Sequence, residues 1–295
     1  MIQYDVIIPV VYKDYSFLKK VVKYIRCNLC PKHIFILTNI KMAKYIPRDV
    51  YLDSLCKIVD ENSLVKGLTY AKLDDIIKSQ GRKHTNTGWF FQQFLKLGFS
   101  QSEYCSTDYY LSWDADTLPL QQINFFDKEG RPFFTMKTEY HKPYFVAIKT
   151  LLGLNKSSSG SYIAEHMMFN REIMKDMLSK IEKSSVPGDW WVEKIMNAIV
   201  PEIVSPASFS EFETYGTFCR NNYPDLYQER EIRSFRLGGI IQGRFISEKL
   251  LAKLATDVAI ASFEIYDRPP FPWWLVCEFY ERFRHYKEVL LLKFV

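Results

Sequence analysis

The sequence predicts an α/β fold with a mostly parallel central sheet and a helical extension at its C-terminal end. Three observations carry that expectation. β-branched runs alternate with amphipathic stretches, a further apolar run ends on two carboxylates, and the composition changes character from Pro269 onward. The segments between the first runs have helical length and pattern, so crossover connections and parallel pairing follow.

The elements read in order as follows. Asp5-Val6-Ile7-Ile8-Pro9-Val10-Val11 is a strand closed near a proline, and the stretch after Asp14 places Leu18, Val21, Val22 and Ile25 at helical spacing. His33-Ile34-Phe35-Ile36-Leu37-Thr38 and Cys56-Lys57-Ile58-Val59-Asp60 are the next strands. In an open α/β sheet the ligand crevice lies beyond the carboxyl ends of the strands, which is where Pro9, Val10 and Asp60 fall. Asp60 suits either a hydrogen bond from a base N–H, such as uracil N3–H, or a turn and cap for the residues that follow. Trp89 to Leu97 is helical, with Phe90, Phe91, Phe94, Leu95 and Leu97 as its apolar side. Gln92 and Lys96, four apart, share a face that serves as a phosphate-compensating donor pair or as an ordinary solvent stripe.

The run Tyr109-Tyr110-Leu111-Ser112-Trp113 delivers Asp114-Ala115-Asp116 at its end. Two hard oxygen donors there suit Mn²⁺ or Mg²⁺, which one or two carboxylates and substrate phosphates commonly hold. Such an ion would neutralise a diphosphate leaving group. A solvated turn is the bland alternative, since Asp is abundant in turns.

Further along, Ser161 to Phe169 passes from a strand into a helix starting near Asn170. His166 is there either a core group or a ligand to the metal or donor. Gly188-Asp189-Trp190-Trp191 offers an acid beside two indoles, as a sugar platform or as a helix start capped by Asp189. Ser210-Glu211-Phe212-Glu213 fits a capping box, and its glutamates are also the acids best placed in sequence order to act as a general base.

Composition bounds the function classes. The chain has 295 residues, 47% apolar and 25% charged, which makes it globular. A net charge of +5, dispersed, is too mild for a nucleic-acid footprint. The 16% aromatic content suits a sugar-stacking surface and equally a well-filled core. Cysteines 27, 30, 56, 105, 219 and 277 are scattered, and Cys27-Asn28-Leu29-Cys30 lacks a second pair at zinc spacing. With a strand-like start and no signal-peptide pattern, a cytoplasmic setting is expected. Beyond Pro269-Pro270-Phe271-Pro272-Trp273-Trp274 an aromatic and basic helix runs to Leu290-Leu291-Leu292. It suits an interfacial helix at the inner face of the cytoplasmic membrane, a helix packed on the core, or a dimer contact.

Five blocks in order resemble a family of bacterial glycosyltransferase-like proteins associated with surface-polysaccharide gene clusters. They are Gly88-Trp89-Phe90-Phe91-Gln92-Gln93-Phe94-Leu95-Lys96-Leu97, Tyr110-Leu111-Ser112-Trp113-Asp114-Ala115-Asp116-Thr117, Thr138-Glu139-Tyr140-His141-Lys142-Pro143-Tyr144-Phe145, Glu165-His166-Met167-Met168-Phe169 and Phe209-Ser210-Glu211-Phe212-Glu213-Thr214-Tyr215-Gly216. The resemblance implies a Rossmann-like GT-A domain over residues 1–235 and an extension over 236–295. It implies a nucleotide-sugar donor, UDP-linked first among them, and a saccharide or lipid-linked saccharide acceptor. It implies Mn²⁺ or Mg²⁺ with Asp116 as direct ligand and Asp114 toward the ribose or the metal's waters, and His166 as a further ligand or donor contact. Glu211, Glu213 and Asp189 are the candidates for the base of an inverting transfer, which is favoured over a retaining course that would need no such base. A Mg²⁺-dependent nucleotidyl- or phosphotransferase and a sugar-binding protein with a decayed site are the competing classes.

Overall fold

A computed structural model describes residues 2–81, 87–199 and 208–292. The alternating pattern produces, in chain order, β1 (Tyr4–Pro9), α1 (Tyr15–Leu29), β2 (Ile34–Thr38), α2 (Arg48–Tyr51) and β3 (Cys56–Asp60). Then come α3 (Tyr70–Ser79), α4 (Thr87–Gly98), β4 (Tyr109–Trp113), β5 (Thr117–Pro119), β6 (Phe133–Thr135) and α5 (Lys142–Leu152). β7 (His166–Asn170), α6 (Arg171–Glu182), α7 (Trp191–Ala198), α8 (Glu211–Asn222), β8 (Gln228–Arg230) and β9 (Ser234–Phe235) follow. The last elements are α9 (Gly239–Gln242), α10 (Glu248–Leu254), β10 (Ile260–Ser262) and α11 (Trp273–Leu292).

The strand order β3-β2-β1-β4-β7 gives the mostly parallel sheet that the sequence predicts, with β1 and β4 parallel and Tyr4 opposite Tyr109. β1 is buried at every position, as expected of a continuous apolar strand with both faces covered. Two compact units share the chain.

The first unit comprises Met1–Ile7, Asp60–Ser112 and Phe125–Glu231. Its core is aromatic. Phe94 meets Trp191 and Phe209, Tyr110 meets Phe99 and Phe169, and Phe134 stacks on Tyr227 with centroids 3.8 Å apart. The buried hydroxyls are used locally, since Asn170 N–H donates to Tyr215 Oη at 2.8 Å and Tyr227 Oη donates to the Met168 carbonyl at 3.1 Å. Gly216 is required by close approach, because a Cβ there would lie 2.3 Å from the Tyr162 ring. Much of the aromatic content is thereby spent on packing, each ring burying a large apolar area.

The second unit comprises Ile8–Val59, Trp113–Asn124 and Ile232–Val295. α1 buries Leu18, Val21, Val22 and Ile25, the stripe read from the sequence. β10 lies between β5, to which it is antiparallel, and β9, to which it is parallel. No helix among the described residues is long and apolar enough to cross a membrane.

Candidate metal and sugar-transfer residues

In the second unit the two carboxylates of the Asp-Ala-Asp stretch sit on a turn that is held from several directions. The Thr117 N–H donates to the Asp114 carbonyl at 3.2 Å, closing the turn, and the Trp113 indole N–H donates to the Thr117 carbonyl at 2.8 Å. The Phe263 N–H donates to the Asp116 carbonyl at 2.8 Å, so the segment after β10 fixes the backbone of the turn. Ser262 and Thr117 share a hydroxyl hydrogen bond at 2.8 Å, and the Thr117 hydroxyl donates to Asp116 Oδ1 at 3.1 Å. The carboxylate is thus oriented by its own neighbour and is not neutralised by it.

Burial pushes the Asp116 carboxyl up to about 7, and the negative charge of Asp114 adds to the shift. Asp14 and Glu264 act in the same direction, while Arg244 opposes them. Arg244 is itself shared, with Nη1 2.6 Å from Asp14 Oδ1 and Nε donating to the Phe263 carbonyl at 2.9 Å. Three acids thus act on Asp116 against one arginine, which favours a proton or a divalent cation on its carboxylate. Two carboxylates suffice for an ion whose remaining ligands are waters and phosphate oxygens. No cluster of three or more His, Cys, Asp or Glu able to hold a metal occurs among the described residues. Pro9 and Val10 close β1 in the same unit, Val10 by an N–H bond to the Leu37 carbonyl at 2.9 Å.

The remaining sequence candidates belong to the first unit. Lys96 is 4% exposed and donates to Glu211 Oε1 at 2.9 Å. Beside it the Glu211 N–H donates to Gln93 Oε1 at 3.0 Å, so α4 holds the start of α8 through Gln93 and Lys96, while Gln92 lies half-buried. Ser210 caps α8 by accepting the Glu213 N–H at 3.2 Å. The reciprocal half of the capping box is replaced by another use of the side chain. Glu213 Oε1 accepts the Ser161 hydroxyl and the Tyr162 N–H. Its Oε2 is buried with no hydrogen-bond partner, and burial raises the carboxyl above its ordinary value.

His166 is 3% exposed, its Nε2 lies 2.9 Å from Thr135 Oγ1, and burial pushes the imidazole down to about 3. It is therefore neutral at ordinary pH. Asp60 accepts the Asn62 N–H at 3.3 Å and so begins a turn, while its neighbour Glu61 is raised to about 7 by burial and then by Asp60. Asp189 is exposed, and its N–H donates to Glu193 Oε2 at 2.9 Å. The N-cap of α7 is Trp190 and not Asp189, with no side-chain cap bond. The structure thus groups Asp114 with Asp116 in one unit and Lys96 with Glu211 in the other, and it leaves Asp60 and Asp189 in turns of their own.

The sequence does not reveal Asp14, Gln93 and Ser161 as partners of the candidate acids, and nothing in it points to Arg244 or Glu264. Arg244 and Glu264 sit in a stretch with no motif, more than a hundred residues from Asp116. Gln93 was in view, but helical spacing alone could not tell its face from that of Gln92.

The model of a family of unknown function, DUF6492, matches residues 18–230. No curated protein matches the chain. Among solved structures the chain is similar to the galactosyltransferase LgtC in complex with donor and acceptor sugar analogs, at 12% identity over 88% of this chain and 86% of that one, with a TM-score of 0.46. An active-site mutant of LgtC is similar at 11% identity over 88% and 86%, with a TM-score of 0.45. Mouse xyloside xylosyltransferase 1, apo form, is similar at 12% identity over 91% and 100%, with a TM-score of 0.43.

Proposed function

We propose, for a chain that belongs to the DUF6492 family of unknown function, that it transfers a sugar from a nucleotide-diphosphate donor to a saccharide acceptor. The observation that carries this reading is the Asp116 carboxyl, raised to about 7 beside Asp114 on a braced turn. A carboxylate pair of that kind suits a divalent cation, Mn²⁺ or Mg²⁺, which when bound supplies charge neutralisation to a departing diphosphate. The five sequence blocks that resemble glycosyltransferase-like proteins support the same reading.

In an inverting course the acceptor oxygen forms a bond to the anomeric carbon as the bond from that carbon to the phosphate oxygen breaks. The electron pair leaves with the diphosphate, and the acceptor's proton passes to a carboxylate. Of Glu211, Glu213 and Asp189, we favour Glu213 as the base. One of its oxygens is fixed by Ser161 and Tyr162, the other has no hydrogen-bond partner, and burial moves the carboxyl toward neutral pH, where a general base works best. Glu211 is already committed to Lys96.

In this reading proton and metal compete for Asp116. The folded-state value of about 7 lies above that of an unfolded carboxyl, about 4. Protonation therefore stabilises the metal-free fold progressively as pH falls through that window, and the gain is absent above it. Mn²⁺ affinity should rise by about tenfold per pH unit below pH ~7 and level off above it, because one proton is displaced. Calorimetric titration of Mn²⁺ in the presence of UDP, from about pH 6 to about pH 8, reads the slope. A flat profile would contradict the assignment of Asp116.

A further inference from the structure

The block Thr138-Glu139-Tyr140-His141-Lys142-Pro143-Tyr144-Phe145 has no part in the mechanism above, yet the residue before it, Lys137, is joined to the segment that holds Glu213. An antiparallel bridge joins Lys137 to Ser161, with N–H···O distances of 2.8 Å in both directions, and Ser161 is the residue whose hydroxyl donates to Glu213. Tyr144, on the first turn of α5, is 8% exposed. Burial pushes its hydroxyl up to about 12, and the charges of Glu211, Glu139 and Glu213 push the same way. The three acids thus lie within electrostatic range of one phenol.

Two polar atoms in this cluster are buried without a hydrogen-bond partner, Glu213 Oε2 on a residue 1% exposed and His141 Nε2. The His141 ring stands edge-on to Tyr144 with centroids 4.6 Å apart. Buried polar groups normally have partners, so orphaned ones in a single cluster indicate hydrogen bonds that a ligand would complete. At the exposed side, Tyr140 is 64% exposed and stacks on Phe145, with centroids 5.2 Å apart and planes 11° from parallel. A ring stiffened by a second ring and open to solvent offers an apolar surface at small entropic cost.

The geometry points to a saccharide-binding platform in the first unit, with the Tyr140 ring as its apolar surface and Tyr144, His141, Glu139 and Glu213 as its hydroxyl-binding groups. This rests on the sugar-transfer reading and gives the acceptor a place to bind. A pyranose presents an apolar C–H face and a rim of hydroxyls, which suits a site of an aromatic surface beside a few placed polar groups. Glu139 and the orphaned Glu213 oxygen accept hydroxyl protons, and the Tyr144 hydroxyl donates or accepts.

Saturation-transfer NMR on the full chain with lactose, maltose, cellobiose and N-acetylglucosamine tests the platform. At least one sugar should bind, and Tyr140→Ala should weaken that sugar about tenfold, the scale of one lost aromatic contact. Tyr144→Phe should weaken it as well, while Mn²⁺-dependent UDP binding and the melting temperature of both variants stay at wild-type values. No binding by any of the four sugars, or wild-type affinity in Tyr140→Ala, overturns the platform. UDP binding is read separately. Its absence with sugar binding intact contradicts the nucleotide-sugar reading and leaves the platform supported.

Discussion

Asp116→Asn should abolish metal-dependent donor binding and turnover without unfolding the protein. The substitution keeps the side-chain volume and an oxygen for the Thr117 hydroxyl, and it removes the charge that would draw a divalent ion. Its effect on stability should run opposite to its effect on activity. In the metal-free chain a carboxyl raised to about 7, close to Asp114, Asp14 and Glu264, is an electrostatic burden once ionised. The variant should melt at or above the wild-type temperature at pH ~8 in EDTA, and it should gain nothing from Mn²⁺ plus UDP, which stabilise the wild type by mass action. Thermal melts in those two conditions check both halves. A variant that still gains stability from Mn²⁺ would remove Asp116 from the metal site.

Glu213→Gln should lower transfer by about 10²-fold or more while leaving donor binding in place, because an amide cannot take the acceptor's proton. The fold should tolerate the change. The Gln carbonyl can accept from Ser161 and Tyr162 as Oε1 does now, and a carboxyl that burial has already raised loses little when neutralised. Glu211→Gln provides the contrast. It leaves Lys96, 4% exposed, without its counter-charge, and breaking a buried pair in this way costs about 3–5 kcal/mol. Lost activity at Glu211 should therefore come with a lowered melting temperature, and lost activity at Glu213 should not. Rates with a competent donor and acceptor, measured alongside melts, separate the two. Wild-type transfer by Glu213→Gln would move the base elsewhere, with Asp189 the next acid to examine.

The parts of this structure that could be read from the sequence are those where periodicity has room to show. α1 carries its apolar stripe through fifteen residues, and β1, β2 and β4 are five or six residues of nearly continuous burial. β9 and β10 span two and three residues, too short for any alternation, so nothing signalled that Ser262 and Phe263 would brace Asp116. α4 shows a different limit. It is buried at Phe90, Phe91, Gln93, Phe94, Leu95, Lys96 and Leu97, so it has little of the solvent face that the Gln92 and Lys96 spacing suggested. Once surrounded, its lysine requires an ion-pair partner, and Glu211 supplies it. Ser210 and Glu213 were legible as a cap, but only half the box forms, because Ser161, some fifty residues earlier, takes the carboxylate.

Under the proposed function Asp114 and Asp116 hold a divalent cation for a nucleotide diphosphate. Mn²⁺ electron paramagnetic resonance on the wild-type chain, titrated with and without UDP, tests it most directly. A bound-ion signal should strengthen when UDP is added and disappear in an Asp114→Asn, Asp116→Asn double variant. UDP bound equally well in EDTA, or Mn²⁺ bound equally well by the double variant, would contradict it.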